Sequence, residues 1–323
     1  MCSEGIIERY VNFYTDFAFK KLFGTEINKD LLVSFLNALL SGKEVIEDIT
    51  YLNTEHLGSQ EYDRRAVFDV YCKNEKGEYF LVEMQKGEQQ FFKDRSIFYS
   101  TFAIREQVPR GVWDYELKGI YTIGILNFCI FPDEYDFYHE VKLVELATKE
   151  VFYDKLTFIY LEMPKFTKAE TELETLFDKW LYAIRNLASL MNRPPALQEK
   201  VFTHLFEAAE IAKFDRKERC EYEESLKNYR DWFSVMKTAE TKGHAKGLAE
   251  GRAEGRAEGR AEGRAEGRAE GMEIGFAQGE ASGVEKGERQ KAIAVARALK
   301  QQHIAVSVIA QSTGLPEEEI ECL

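Results

Sequence analysis

Cysteine is scarce and unpatterned in this chain of 323 residues. The five cysteines stand at Cys2, Cys72, Cys129, Cys220 and Cys322, with no C-x-x-C spacing, and the five histidines show no H-x-x-x-H. That argues against structural zinc and against a disulfide framework. A basic excess is missing too: 43 Lys+Arg stand against 56 Asp+Glu, a net charge of −13. Residues 241–323 carry 12 Lys+Arg and 14 Asp+Glu, so nearly all of the acidity lies before them. Such a surface disfavours sequence-independent coating of DNA, which depends on Lys and Arg, although it leaves room for a local basic groove. No apolar run is long enough to span a bilayer; the longest, IYTIGILNFCIF at 120–131, reads as a buried strand. The opening MCSEGIIERY is too polar and acidic for a signal peptide, so a soluble cytoplasmic protein is expected. Aromatic residues run out as well: Trp and Tyr stop at Trp232, and beyond Phe233 the one Phe is Phe276. The core is therefore expected before about residue 235.

Within that portion the hydrophobic period changes several times. Thr15 is an N-cap for a short helix with apolar residues at 18, 19, 22 and 23, ended by Gly24. Residues 28–40 repeat the pattern with 31, 32, 35, 36, 39 and 40 on one face. Residues 49–54, 66–72 and 79–85 are short runs rich in β-branched and aromatic residues, and 91–108 return to helical spacing. Residues 119–131 and 156–163 are strand-like and nearly all apolar, as expected of strands covered on both faces. Residues 168–238 read as helical, with a break at Pro194-Pro195. The expected division is a core over 1–165, a helical extension over 166–240, a repeat over 241–288 and a helical hairpin over 289–323.

The repeat is a ladder with glycine at every fourth position from Gly243 to Gly287, including five unbroken copies of GRAE. Collagen is excluded, since it needs glycine every third residue. Ala, Glu and Arg favour a helix, but twelve glycines cost it on the order of 10 kcal/mol relative to alanine. Within GRAE, Glu meets Glu and Arg meets Arg at i+4, so no ion pairs support the helix from within. Two readings remain open: a self-associating helical stalk about 65 Å long, which makes a homo-oligomer through the repeat and hairpin, and a flexible spacer. The final IAVSVIAQSTGLPEEEIECL imitates a helix-turn-helix, but its second helix carries Glu317, Glu318, Glu319 and Glu321, which phosphate repels. A packing or oligomer-capping hairpin is the preferred reading.

The stretch FDVYCKNEKGEYFLVEMQ, residues 68–85, reads as two strands joined by a turn. With Glu75-Lys76-Gly77 as a three-residue loop and Gly77 left-handed, positions summing to 152 lie opposite one another. Asp69 then faces Glu83, with Gln85 two residues on along the same face. Facing carboxylates in apolar strands repel, and a hard divalent cation between them resolves the conflict. The plainer alternative is a pair of acids facing solvent on a half-exposed sheet. Asp16 and Lys20 share a helix face, either as a surface ion pair or at the same site. Arg95 and Tyr99 share another, for packing or for phosphate contact.

An Asp on one strand followed by Glu-x-Lys on the next resembles the core of the PD-(D/E)XK nucleases. The chain is similar to one branch of them, the Rpn-type recombination-promoting nuclease or putative transposase family. The resemblance is carried by TDFAFKKLFG (15–24), LVSFLNALL (32–40), residues 68–85, the Arg95-x-x-x-Tyr99 pair and YTIGILNF (121–128). It implies an α/β fold, a restriction-endonuclease-like mixed sheet flanked by helices, followed by an all-helical region and the glycine tail. It also implies Mg²⁺-dependent (or Mn²⁺-dependent) endonucleolytic cleavage of DNA in recombination. Asp69 and Glu83 would be metal ligands, with Gln85 in the place of the usual lysine and Asp16 near the reacting centre. Lys20, Arg95 and Tyr99 would contact DNA, and Lys20 or Arg95 would supply the cation that Gln85 lacks. Lys86 is set aside because strand alternation points it to the opposite face. The alternative function is a catalytically idle nuclease-fold protein acting as a DNA-binding or assembly module.

Overall fold

The structure is a computed structural model, and it describes residues 8–56, 66–108, 111 and 113–323, with only the backbone of 55–56 and 66–67. It comprises two compact units, Met1–Val235 and Met236–Leu323. Among the described residues no helix is long and apolar enough to cross a membrane.

The first unit opens with α1 (Asp16–Phe23), whose first turn is capped by Thr15 accepting from the Ala18 amide. The next helix is α2 (Lys29–Leu39). Strands β1 (Ile49–Tyr51), β2 (Glu55–His56), β3 (Ala66–Val67), β4 (Val70–Asn74) and β5 (Tyr79–Gln85) come next. They are followed by α3 (Phe92–Glu106), β6 (Ile120–Leu126), β7 (Tyr138–Val144) and β8 (Val151–Glu162). Strands β2 and β3 form a separate two-stranded ladder. The main sheet has the order β1-β4-β5-β6-β8-β7. Its centre, β5-β6-β8, is parallel, whereas β1-β4-β5 and β7-β8 are antiparallel. This is the mixed sheet flanked by helices that the sequence leads one to expect.

Alternation along β5 divides its side chains between two cores. Phe80, Val82 and Met84 enter the larger one with Phe19, Phe23, Phe35 and Trp180. The helices on that side are α1, α2, α4 (Leu176–Asn186) and α5 (Lys200–Ala209). Leu81 points the other way, into a smaller core with Phe68, Tyr71 and Ala103, beneath α3. Trp180 and Phe202 pack in the larger core beside α1 and α2, so the side chains after residue 165 complete the burial begun by the first two helices.

Two elements depart from the sequence reading. Strand β7 was not expected, because a half-exposed segment carrying Glu140 and Lys142 lacks the apolar run of a covered strand. Its partner β8 starts five residues before the apolar run over 156–163, and those early residues are largely exposed. Residues 168–238 form α4, α5 and the start of α6 (Arg216–Gln301), separated by short 3₁₀ turns as well as by the proline break.

Helix α6 continues through the whole glycine ladder into the second unit. Among the described residues no ion pair joins the GRAE copies, as their four-residue phase requires. At its end α7 (Val306–Thr313) and α8 (Glu317–Glu321) fold back. There Ala296, Ile309, Leu315 and Ile320 make a small core, and Arg289 pairs with Glu319 at 3.2 Å.

Candidate active site

The hairpin of β4 and β5 builds the site. Gly77 adopts φ +81°, a left-handed conformation that favours glycine, and its amide donates to the Asn74 carbonyl at 3.1 Å. The Asn74 side chain stiffens the turn by accepting from the Lys76 and Glu78 amides. The strands then pair Val70 with Val82 and Lys73 with Tyr79, the register in which positions sum to 152. Asp69 sits in the bend just before β4, where it would face Glu83 if the ladder continued. Its Oδ2 accepts from the Met84 amide at 2.9 Å, tying the bend to the neighbouring strand.

Glu83 is only 7% exposed, on the face of β5 that α3 covers. Gln85 follows on the same face, with Nε2 at 3.4 Å from Glu83 Oε2. From α3, Arg95 brings Nη2 to 3.6 Å from the same oxygen, an ion pair too long for a hydrogen bond. The guanidinium lies 5.6 Å from the Tyr99 ring centre and 5.7 Å from that of Phe92, while its Nη1 donates to Gln89 Oε1. Tyr99 in turn packs edge-on against Phe68.

Both carboxyls hold protons more tightly than is ordinary. Burial pushes Glu83 up to about 7, helped by the charge of Asp69 and opposed by Arg95 and the Gln85 hydrogen bond. Burial also raises Asp69; the Met84 amide counters this, Asp16 adds to it, and Lys20 and Lys86 lower it. Thus Asp16, Lys20, Glu83 and Lys86 all act on or are acted on by Asp69. Burial raises the Tyr99 hydroxyl as well, with Glu83 adding and Arg95 opposing.

The sequence-designated residues therefore approach the pair from both sides. Asp16 and Lys20 pair with each other at 3.2 Å on α1, and Gln85, Arg95 and Tyr99 surround Glu83. Lys86, set aside because alternation turns it from the Glu83 face, lies on the α1 side, and its charge still reaches Asp69. It lines a cavity of about 690 Å³ with Asp16, Lys20 and Lys21. β5 ends at Gln85, so the charge of Lys86 sits at a strand end rather than in a covered strand. Gln89, the partner of Arg95, had no sequence signal at all.

The donor set suits a hard cation. Asp69 and Glu83 offer only oxygens, their mutual repulsion is what a divalent ion would relieve, and the Met84 contact leaves Asp69 Oδ1 free of that bond. Among the described residues no group of three or more His, Cys, Asp or Glu is arranged to hold a metal. One or two carboxylates, completed by water and phosphate, is the usual manner for Mg²⁺.

A family model described as PD-(D/E)XK nuclease family transposase matches residues 13–239. No curated protein and no solved structure matches.

Proposed function

The chain belongs to the PD-(D/E)XK nuclease family of transposases, and from that premise we propose a divalent-metal-dependent DNA endonuclease whose reacting centre is the Asp69–Glu83 pair. The observation that carries this reading is the pair itself: Glu83 in β5 and Asp69 in the bend before β4, the latter tied to β5 by the Met84 amide, with Glu83 buried enough to be pushed up to about 7. Two like-charged carboxyls repel and do not stabilise the fold as an ion pair can, whereas groups perturbed in this way cluster at functional sites.

In this reading Asp69 and Glu83 hold Mg²⁺ or Mn²⁺. A bound ion of that kind polarises a scissile phosphate and lowers the pKa of an attacking water. Gln85 orients water or a phosphate oxygen through its amide, bringing no charge. Arg95 and Tyr99 receive the phosphate backbone from the α3 side, and Lys20, held by Asp16, receives it from the α1 side with Lys86. Together Lys20, Lys86 and Arg95 supply the positive charge that Gln85 does not. The action falls in recombination, in the cytoplasm, with protomers joined through the glycine ladder and terminal hairpin.

The test is cleavage of plasmid DNA by purified protein with Mg²⁺ or Mn²⁺. Asp69→Ala and Glu83→Ala should each lower the rate by at least about 100-fold, the scale of lost charge stabilisation at a reacting centre. Cleavage that survives both changes rejects the site. Binding without any cleavage favours the idle, DNA-binding alternative.

A further inference from the structure

Two aromatic rings near Arg95 lie outside the buried cores, Phe91 largely exposed and Phe98 partly so. Phe91 caps the start of α3, is 69% exposed and has φ 62° and ψ 31°. Bulky L residues avoid that left-handed conformation, and an apolar ring gains nothing by being held there in water. Phe98 is 43% exposed and rests edge-on against Phe102 at 5.2 Å. Between them stands Arg95, whose amide donates to the Phe91 carbonyl at 3.0 Å, so Phe91 lies one turn before it and Phe98 about one turn after.

Arg95 is unfinished. Its Nε and Nη2 are buried yet make no hydrogen bond among the described residues, although Nη2 lies near Glu83. Buried donors of a guanidinium call for an oxyanion, and phosphate matches the fork bidentately. The order along the helix is therefore exposed ring, unsatisfied guanidinium, exposed ring, with the guanidinium 3.6 Å from Glu83.

We propose that Phe91 and Phe98 each stack on an unpaired base of single-stranded DNA, with the intervening phosphate on Arg95 beside Asp69 and Glu83. This rests on the endonuclease reading and narrows its substrate to single-stranded or locally unpaired DNA. In an intact duplex the faces of the bases are occupied by their neighbours, and exposed rings have nothing to stack on. Stacking also suits the charge of this domain. Residues 60–110 hold nine Lys+Arg and nine Asp+Glu, too balanced to gain affinity by neutralising many phosphates.

The experiment is fluorescence anisotropy with the full chain in chelator, so that binding is read without cleavage. A short labelled single strand is compared with the same sequence as a duplex and as RNA. The single DNA strand should bind tightest, and Phe91→Ala and Phe98→Ala should each weaken it by about 5- to 100-fold while sparing the duplex. Phe91→Trp should retain the affinity. Phe91→Gly should raise the melting temperature, by relieving the left-handed backbone, while lowering single-strand affinity. A ring that merely supported the fold would lose stability instead.

Unchanged single-strand binding in both alanine variants overturns the proposal, as does tighter binding of the duplex or of the RNA. If those variants bind normally and plasmid cleavage still depends on Asp69, the stacking proposal fails and the endonuclease reading stands. Ring-dependent binding without metal-dependent cleavage of either the plasmid or the single strand supports stacking and rejects the endonuclease.

Discussion

A Cβ added to Gly87 would fall 2.0 Å from Trp232 Cη2, and one added to Gly24 would fall 2.8 Å from the Lys20 carbonyl. The twelve glycines from Gly243 to Gly287 meet nothing within 4 Å among the described residues. At Gly87, then, glycine stands where another element passes too close for a side chain, and at Gly24 it stands where the carbonyl of the preceding helical turn does. In the ladder it stands on an open helix that alanine would suit better. Packing inside the chain explains the first kind and gives no reason for the second. The Asp69–Glu83 pair shares something with the ladder, since it too is retained against the interest of the fold. It differs in being enclosed, with Arg95, Gln85 and the Met84 amide around it.

The largest effect expected from this contrast comes from the buried acid. Glu83 holds its proton up to about pH 7 in the folded chain but only to about 4.5 when unfolded. Between those values the folded state binds more protons, so the stability contributed by this group falls as pH rises from about 4.5 to about 7 and is level above. Metal-free protein should follow that trend in urea titrations, and Glu83→Gln should flatten it. At pH 8 the variant should gain up to about 3 kcal/mol, the linkage equivalent of the raised pKa. A Glu83→Gln protein less stable than wild type at pH 8 would mean that the carboxylate supports the fold.

Gly87→Ala should come next. The Trp232 ring has to move to admit the methyl group, an overpacking cost of about 1–3 kcal/mol, with a change in tryptophan fluorescence. Smallest is the ladder. Replacing Gly255, Gly259 or Gly263 by Ala should favour the helix by about 0.8–1 kcal/mol each, read as rising helical circular dichroism on heating. Light scattering on the same variants sharpens the comparison. A mass lowered by these alanines means that the glycines admit a second chain; an unchanged mass leaves the stripe without a packing role.

Much of this arrangement was legible in the residues. Glu75-Lys76-Gly77 set the turn, the turn set the register, and the register placed Asp69 across from Glu83 at the end of the hairpin. The buried faces of α1 and α2 followed from their apolar spacing and from the Thr15 cap. Strand β7 was hidden because half-exposed strands carry mixed side chains, and periodicity detects burial rather than hydrogen bonding. The reach of Lys86 was hidden because alternation describes strands and stops where they stop. The left-handed backbone of Phe91 had no signal, since no glycine or asparagine marks that position.

The most direct test of the central claim is the pH–rate profile of metal-dependent DNA cleavage at metal concentrations well below saturation. If Asp69 and Glu83 must be ionised to hold the ion, the rate should fall about tenfold per pH unit below about 7 and level off above it. A rate that stays flat from acid to neutral pH, or that persists in chelator, would contradict the account.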